Sequence, residues 1–152
     1  MRALLLAGTV VVGFALAVHL AMNAAVGKIV ANPRMGNAVF WLIGAAMAAI
    51  IGLSRWEARF WQAARNVPSW LWLAGAIGAC LVFAIAALIP RLGAATTNVL
   101  LLTGQVIGGV LIAHWGLLGS PIQAITPLKL VGVAVMVLGA SIAVFGKIPF
   151  VP

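Results

Sequence analysis

The chain has 152 residues, of which 65% are hydrophobic and 7% charged, and nine basic residues accompany a single acid. A soluble domain carries about 25% charged residues, so this composition excludes a water-soluble globular protein. A membrane helix takes about 20 apolar residues, and five such helices would use almost the whole apolar content. The composition therefore predicts an all-α integral membrane protein that forms a single transmembrane domain.

The net charge of +8 does not indicate a nucleic-acid-binding surface. Nucleic-acid binders cluster Lys and Arg on one face, whereas the basic residues here lie singly at the ends of apolar runs. That placement suits anchoring at anionic lipid, so we expect the lipid bilayer as a partner and no nucleic acid. The single Cys80 allows neither an intrachain disulfide nor a Cys–His metal set, and no metal or cofactor is expected.

Five apolar runs follow one another along the chain. The predicted spans are residues 3–26, 36–53, 70–89, 94–113 and 128–146. The first is longer than the roughly 7–15 residues of a signal-peptide core, so we expect it to be retained. The third and fourth spans are separated by the four-residue turn Pro90–Gly93, which predicts that the two helices are antiparallel neighbours.

The segment of residues 55–66, between the second and third spans, has an amphipathic pattern. Arg55 and Arg59 would lie on one helical face, and Trp56 and Phe60 on another. This pattern predicts a helix that is capped by Ser54 and lies in the plane of the membrane interface.

Small residues recur at helical spacing on the later spans. The fourth span has the pair Gly104 and Gly108, and Gly132, Gly139 and Gly146 repeat every seven residues on the fifth. Helices in lipid pack closely through small residues. Two interpretations stay open: packing within one chain, or contact of the fifth span with a second subunit.

Polar side chains within the spans are few, and each needs a partner or a water-filled cavity. With a rise of about 1.5 Å per residue, several of them lie at similar depths on three helices, and Gln105 lies near the midplane. Converging polar groups between helices are typical of a solute pathway. The alternatives are helix caps or interhelical hydrogen bonds for the asparagines, packing for the tryptophan, and a structural donor for the histidine. The candidate pathway residues are His19, Asn23, Trp41, Asn98, Gln105 and Gly104.

The stretch Gly93-Ala-Ala-Thr-Thr97, followed by Gly104-Gln-Val-Ile-Gly-Gly109, resembles the signature of the YdcZ-type family in the drug/metabolite transporter superfamily. Asn23 also resembles a family position that is preceded four residues earlier by a polar residue, usually Gln, where this chain has His19. The resemblance covers essentially the whole chain. It implies a five-span protein of the bacterial inner membrane that exports small molecules. It also implies an inverted pair, formed as an antiparallel homodimer or with an inverted homologue.

The charged residues separate this chain from the small multidrug members of that superfamily. Those members resemble proton antiporters with a glutamate in the first span, whereas the only acid here is Glu57, in the loop. His19 is the only ionisable side chain well inside a span, which makes it the available proton carrier. The rival interpretation is a membrane scaffold without transport activity. An enzyme is not expected, because the sequence has no catalytic triad, metal set or carboxylate pair.

The basic residues also bear on orientation, because those in short loops set the topology of membrane proteins. Counting them on the two faces gives five on the side of the N-terminus and four on the other. The first set is Arg2, Arg55, Arg59, Arg65 and Lys129, and the second is Lys28, Arg34, Arg91 and Lys147. So small a difference predicts insertion in both orientations.

Overall fold

The structure is a computed structural model and describes residues 1–146, in which every regular element is a helix. The helices are α1 (Arg2–Ile29), α2 (Pro33–Leu53), α3 (Phe60–Ala64), α4 (Leu73–Leu92), α5 (Ala94–Trp115) and α6 (Pro127–Phe145), with short 3-10 turns at Ser69–Trp72 and Leu117–Gly119. All but the short α3 contribute a segment long and apolar enough to cross a membrane. This confirms the prediction of an all-helical protein with five candidate spans.

Helix capping moves the span boundaries away from the limits of the apolar runs. The second helix begins at Pro33 rather than at residue 36, because the Asn32 side chain accepts a hydrogen bond from the Met35 N–H at 3.2 Å. Thr126 caps α6 in the same way, accepting from the Lys129 N–H at 3.3 Å. In both helices a proline follows the cap, at a position where a missing N–H costs no helical hydrogen bond.

The connection between α4 and α5 is shorter than the sequence predicts. The expected four-residue turn Pro90–Gly93 was wrong, because α4 continues through Pro90 to Leu92 and Gly93 alone separates it from α5. Gly93 has a φ of +83°, a conformation open to glycine and strained for most other residues.

The loop that follows α2 is mostly irregular instead of helical. The amphipathic helix expected over residues 55–66 is reduced to the five residues of α3. The Ser54 hydroxyl does not cap it, since it donates back to the Ile51 carbonyl of α2 at 2.6 Å. Arg59 occupies the cap position of α3, and an arginine side chain has no acceptor for the free N–H groups of a first turn.

The chain divides into two compact units, Met1–Arg91 and Leu92–Pro152, the second of which is described as far as Gly146. That the whole chain forms one transmembrane domain stays a prediction. Lys147, which was expected to close the last span, lies outside the described residues.

In the first unit, α1 and α2 form a closely packed antiparallel hairpin. Gly27 and Gly36 are both buried where the two helices approach. A Cβ atom on Gly36 would lie 3.3 Å from the Gly27 Cα, and one on Gly27 would lie 3.2 Å from the Pro33 Cα. Leu20 and Ala24, which are also buried, continue the same contact along α1.

In the second unit, α6 packs against α5 after a loop that folds back on the end of α5. The Gln123 N–H donates to the Ala113 carbonyl at 2.8 Å. The Ile125 N–H donates to Nδ1 of His114 at 3.2 Å. The histidine that ends this span therefore holds the loop in place through an acceptor nitrogen.

The contact between Gly27 and Pro33 predicts a difference between two glycine substitutions. Alanine stabilises a helix by about 1 kcal/mol over glycine, but at Gly27 the added methyl group is crowded by backbone atoms, which costs about 1–3 kcal/mol. We expect Gly27→Ala to have a lower melting temperature in detergent than Gly44→Ala. Gly44 is the matched control because its Cβ would meet no atom within 4 Å. Equal melting temperatures would contradict the close packing of the hairpin.

Candidate functional site

A hydrogen bond between two asparagine side chains joins α1 to α2. Nδ2 of Asn23 donates to Oδ1 of Asn37 at 3.1 Å, and Asn23 is only 1% exposed. The two residues are each seven positions from Val30, in the turn between the helices, so they face each other at one depth of the antiparallel hairpin. The Gly27–Pro33 contact follows the same register, since these residues are each three positions from Val30.

Two polar atoms of this hairpin are buried without a hydrogen-bond partner among residues 1–146. They are Oδ1 of Asn23, an acceptor, and Nε1 of Trp41, a donor. Trp41 lies one helical turn beyond Asn37 on the same face of α2. On α4, a Cβ atom at Gly78 would lie 3.8 Å from the tip of the indole ring, an ordinary van der Waals distance, so the ring lies against this part of α4. A buried group without a partner costs about 1–3 kcal/mol, and a solute with one donor and one acceptor could satisfy both.

His19 differs from Asn23, one turn away on the same helix, in being exposed. Its ring is stacked at a tilt on Phe40, with the ring centroids 4.7 Å apart. Both rings line an apolar groove of about 350 Å³ together with Phe14 and Met22. The imidazole therefore lies on an open apolar surface of the hairpin, and its role in a pathway stays a prediction.

The candidate residues of the second unit show two different environments. Nδ2 of the half-buried Asn98 donates to the Ala94 carbonyl of its own helix at 2.8 Å, which supports the structural interpretation of this residue. Gln105 is exposed, and no side-chain hydrogen bond within the described residues includes it. Its neighbour Gly104 is also exposed, and a Cβ there would meet nothing within 4 Å. In a bilayer an exposed amide on a span needs a partner.

His19, Asn23 and Trp41 belong to the first unit, while Asn98, Gly104 and Gln105 belong to the second. The convergence of these two sets on one pathway stays a prediction. Sequence reasoning omitted Asn37 from the candidate residues, although Asn37 shares a face of α2 with Trp41. Counting positions outward from the turn would have paired it with Asn23.

A second omission is Thr97, the last residue of the Gly-Ala-Ala-Thr-Thr motif. It is 2% exposed, and its hydroxyl donates to the Gly93 carbonyl at 2.8 Å. A threonine hydroxyl can make this bond within any helix, so only its burial distinguishes it from its neighbours.

The glycines of α6 are open to their surroundings within the described chain. A Cβ on Gly132 or Gly139 would meet no atom within 4 Å. Gly132 and Gly109 line a cavity of about 480 Å³ between α5 and α6. Gly146 lies just beyond α6 and has a φ of +65°, the left-handed conformation with which glycine commonly ends a helix. Gly146 is therefore the C-terminal cap of α6.

The family model described as "Putative inner membrane exporter, YdcZ" matches residues 4–142 of the chain. The chain therefore belongs to this family, which confirms the resemblance noted in its sequence. It is a multi-pass protein of the inner membrane, in contact with the lipid bilayer, and its family is one of small-molecule exporters. No curated protein and no solved structure matches the chain.

The Asn23–Asn37 bond predicts a non-additive effect of two substitutions on stability. Asn37→Leu leaves both polar atoms of the buried Asn23 amide without partners, which costs about 1–2 kcal/mol in a membrane protein. We expect Asn23→Leu/Asn37→Leu to be less destabilised than the sum of the two single variants. Unfolding in a denaturing detergent measures the difference, and strictly additive effects would contradict the bond. Asn98→Leu is the control for the loss of an amide that does not join two helices, because Nδ2 of Asn98 donates to the Ala94 carbonyl of its own helix.

Proposed function

We propose that this member of the YdcZ exporter family moves neutral, polar small molecules across the inner membrane by alternating access, as an inverted pair of chains. The observation that carries the proposal is the pair of buried groups without partners, the Asn23 carbonyl oxygen and the Trp41 indole N–H. Uncompensated polar groups in a membrane interior are costly and are retained where they serve a function. One acceptor and one donor suit a solute with hydroxyl or amide groups.

The preference for neutral solutes follows from the charges of the chain. The only acid, Glu57, lies in the loop after α2, and the eight basic residues that the structure describes lie in that same loop or near the ends of the spans. The pathway residues thus provide amides, an indole and an imidazole. They contain no carboxylate to select cations and no guanidinium to select anions.

The remaining pathway residues would complete the route in the paired state. Gln105 is exposed near the middle of α5, and the open Gly104 beside it would let a helix or a solute approach closely. In an inverted pair, the two copies of a midplane residue lie at similar depth and could face one cavity. Asn98 and His19 would lie nearer the membrane surface, on the same route.

Two observations support the inverted pair. Five basic residues on one face and four on the other provide little bias toward a single orientation. In addition, Gly132 and Gly139 form a row on α6 that no atom of the described residues approaches closely, so a second helix could pack there. The same row would also suit a scaffold protein, so a transport measurement is needed to distinguish the two functions.

Transport by the purified protein tests the role of Trp41. In proteoliposomes supplied with a panel of neutral, anionic and cationic solutes, we expect transport of a neutral member. Trp41→Phe keeps a ring but removes the N–H donor, so we expect a rate roughly 5- to 100-fold lower. Trp61→Phe is the control, because Trp61 is exposed on α3. Full activity of Trp41→Phe would remove the indole from the site, and no transport of any solute would favour a scaffold.

The same assay tests Gln105. We expect Gln105→Leu to insert and fold normally, since an exposed amide that bonds to no described residue is replaced by an apolar side chain. Transport should be lost, because the midplane of the route would offer no polar group. Wild-type transport by this variant would show that Gln105 is outside the pathway.

Reporter fusions at the C-terminus test the orientation. We expect comparable signals from a reporter active in the cytoplasm and one active in the periplasm, because insertion in both directions is nearly balanced. Arg34→Gln and Arg91→Gln together remove two basic residues from one face of the membrane. We expect this double variant to insert mainly in one orientation, so that one reporter gives most of the signal. A signal from only one reporter in the wild-type protein would contradict the antiparallel homodimer. Pairing with an inverted homologue would then be the remaining form of the inverted pair.

A further inference from the structure

A second cavity, of about 610 Å³, lies where α2 ends and the irregular loop begins. Its volume is within the range of about 300–1,000 Å³ that is usual for ligand sites. The last turn of α2 provides an apolar wall that includes Gly52 and Leu53, and the loop provides charged and aromatic side chains. Because α2 is a membrane span that ends here, this cavity opens at the membrane interface.

The irregular backbone of the loop brings these different side chains together. In a regular helix over residues 55–66, the pair Arg55 and Arg59 would be centred about 100° around the helix axis from the pair Trp56 and Phe60. Since the helix is confined to Phe60–Ala64, all four residues line the same cavity. The cavity therefore combines cationic groups with aromatic rings of the kind enriched at membrane interfaces.

The charges of this cavity are two guanidinium groups and the only carboxylate of the chain. Arg55, Glu57 and Arg59 all line it. In the described part of the chain, none of these three side chains takes part in a side-chain hydrogen bond. Their donors and acceptors are thus available to a ligand. Guanidinium groups bind phosphate oxygens through paired N–H bonds, and a carboxylate accepts hydrogen bonds from an ammonium group.

We infer that this cavity binds a membrane phospholipid whose headgroup joins a phosphodiester to a primary ammonium, as in phosphatidylethanolamine. The phosphodiester would contact Arg55 and Arg59, the ammonium would contact Glu57, and an acyl chain would begin along Leu53. A headgroup with negative charge alone would leave the Glu57 carboxylate facing an anion. A choline headgroup offers no N–H donor to that carboxylate.

Lipid binding to the full-length purified protein tests the inference. Phosphatidylethanolamine, phosphatidylglycerol and phosphatidylcholine with identical acyl chains are titrated separately, and the bound lipid is counted by native mass spectrometry. We expect phosphatidylethanolamine to bind about fivefold more tightly than either of the others, the effect of one partly exposed hydrogen bond from the ammonium group to the carboxylate. Equal binding of all three lipids, or tighter binding of phosphatidylglycerol, would overturn the inference.

Three variants assign the recognition to these side chains. Glu57→Gln should reduce the affinity for phosphatidylethanolamine to that for phosphatidylcholine. Arg55→Gln/Arg59→Gln should weaken the binding of both of these lipids, because both contain the phosphodiester. Arg65→Gln is the matched control, since Arg65 lies in the same loop and does not line the cavity.

These variants also separate the lipid site from general attraction to the membrane surface. If Arg65→Gln weakened binding as much as Arg55→Gln or Arg59→Gln alone, each of which also removes one charge, the effect would be one of net charge and the inference would be wrong. An unchanged lipid preference in Glu57→Gln would overturn the assignment of the ammonium to Glu57. Because the substituted side chains are exposed on a loop, a matching elution profile in gel filtration is sufficient to show that each variant is folded.

Discussion

The hydrogen bond between Asn23 and Asn37 is the interaction on which the first unit depends, because it joins two helices at a point where lipid offers no other partner. Helices in a bilayer gain little from burying apolar surface against each other, so their association depends on close packing and on polar contacts. Both are present in this hairpin. Gly27 and Gly36 let the backbones approach near the turn, and Asn23 lies about one helical turn deeper on α1 than Gly27, where its bond to Asn37 holds the same register.

The bond between the two amides leaves part of their hydrogen-bonding capacity unused. Each asparagine side chain has two donor hydrogens and an acceptor oxygen, and the single bond between the two uses only part of this capacity. The acceptor of Asn23 and the indole N–H of Trp41 are buried in the same hairpin, which also buries the apolar Leu20 and Ala24. Buried polar groups of this kind are stabilised when a ligand supplies the missing hydrogen bonds. His19 differs from them because it is exposed on the surface of the hairpin.

The two ends of α2 show how local backbone chemistry gathers different side chains along one helix. At its beginning, the Asn32 cap and Pro33 start the helix early, and this positions Asn37 one turn inside it. At its end, the Ser54 hydroxyl turns back to α2, and the chain that follows is irregular until Phe60. The first feature places an uncharged polar pair, Asn23 and Asn37, within the span. The second collects charged and aromatic side chains at the interface, where water and lipid headgroups are both within reach.

The sequence by itself determined the class of protein, the number of spans and the family, because these depend on the quantity of apolar residues and on local motifs such as Gly93–Thr97. It did not determine the helix ends, which depend on the caps at Asn32 and Thr126 and on the tolerance of α4 for Pro90 near its end. It also placed His19 and Asn23 on one helical face without showing that one is exposed and the other buried. In a soluble helix the polar face would identify the exterior, but in a bilayer the lipid is as apolar as the protein interior. Only the packing of α1 against α2 decided which residues of that face meet a neighbour.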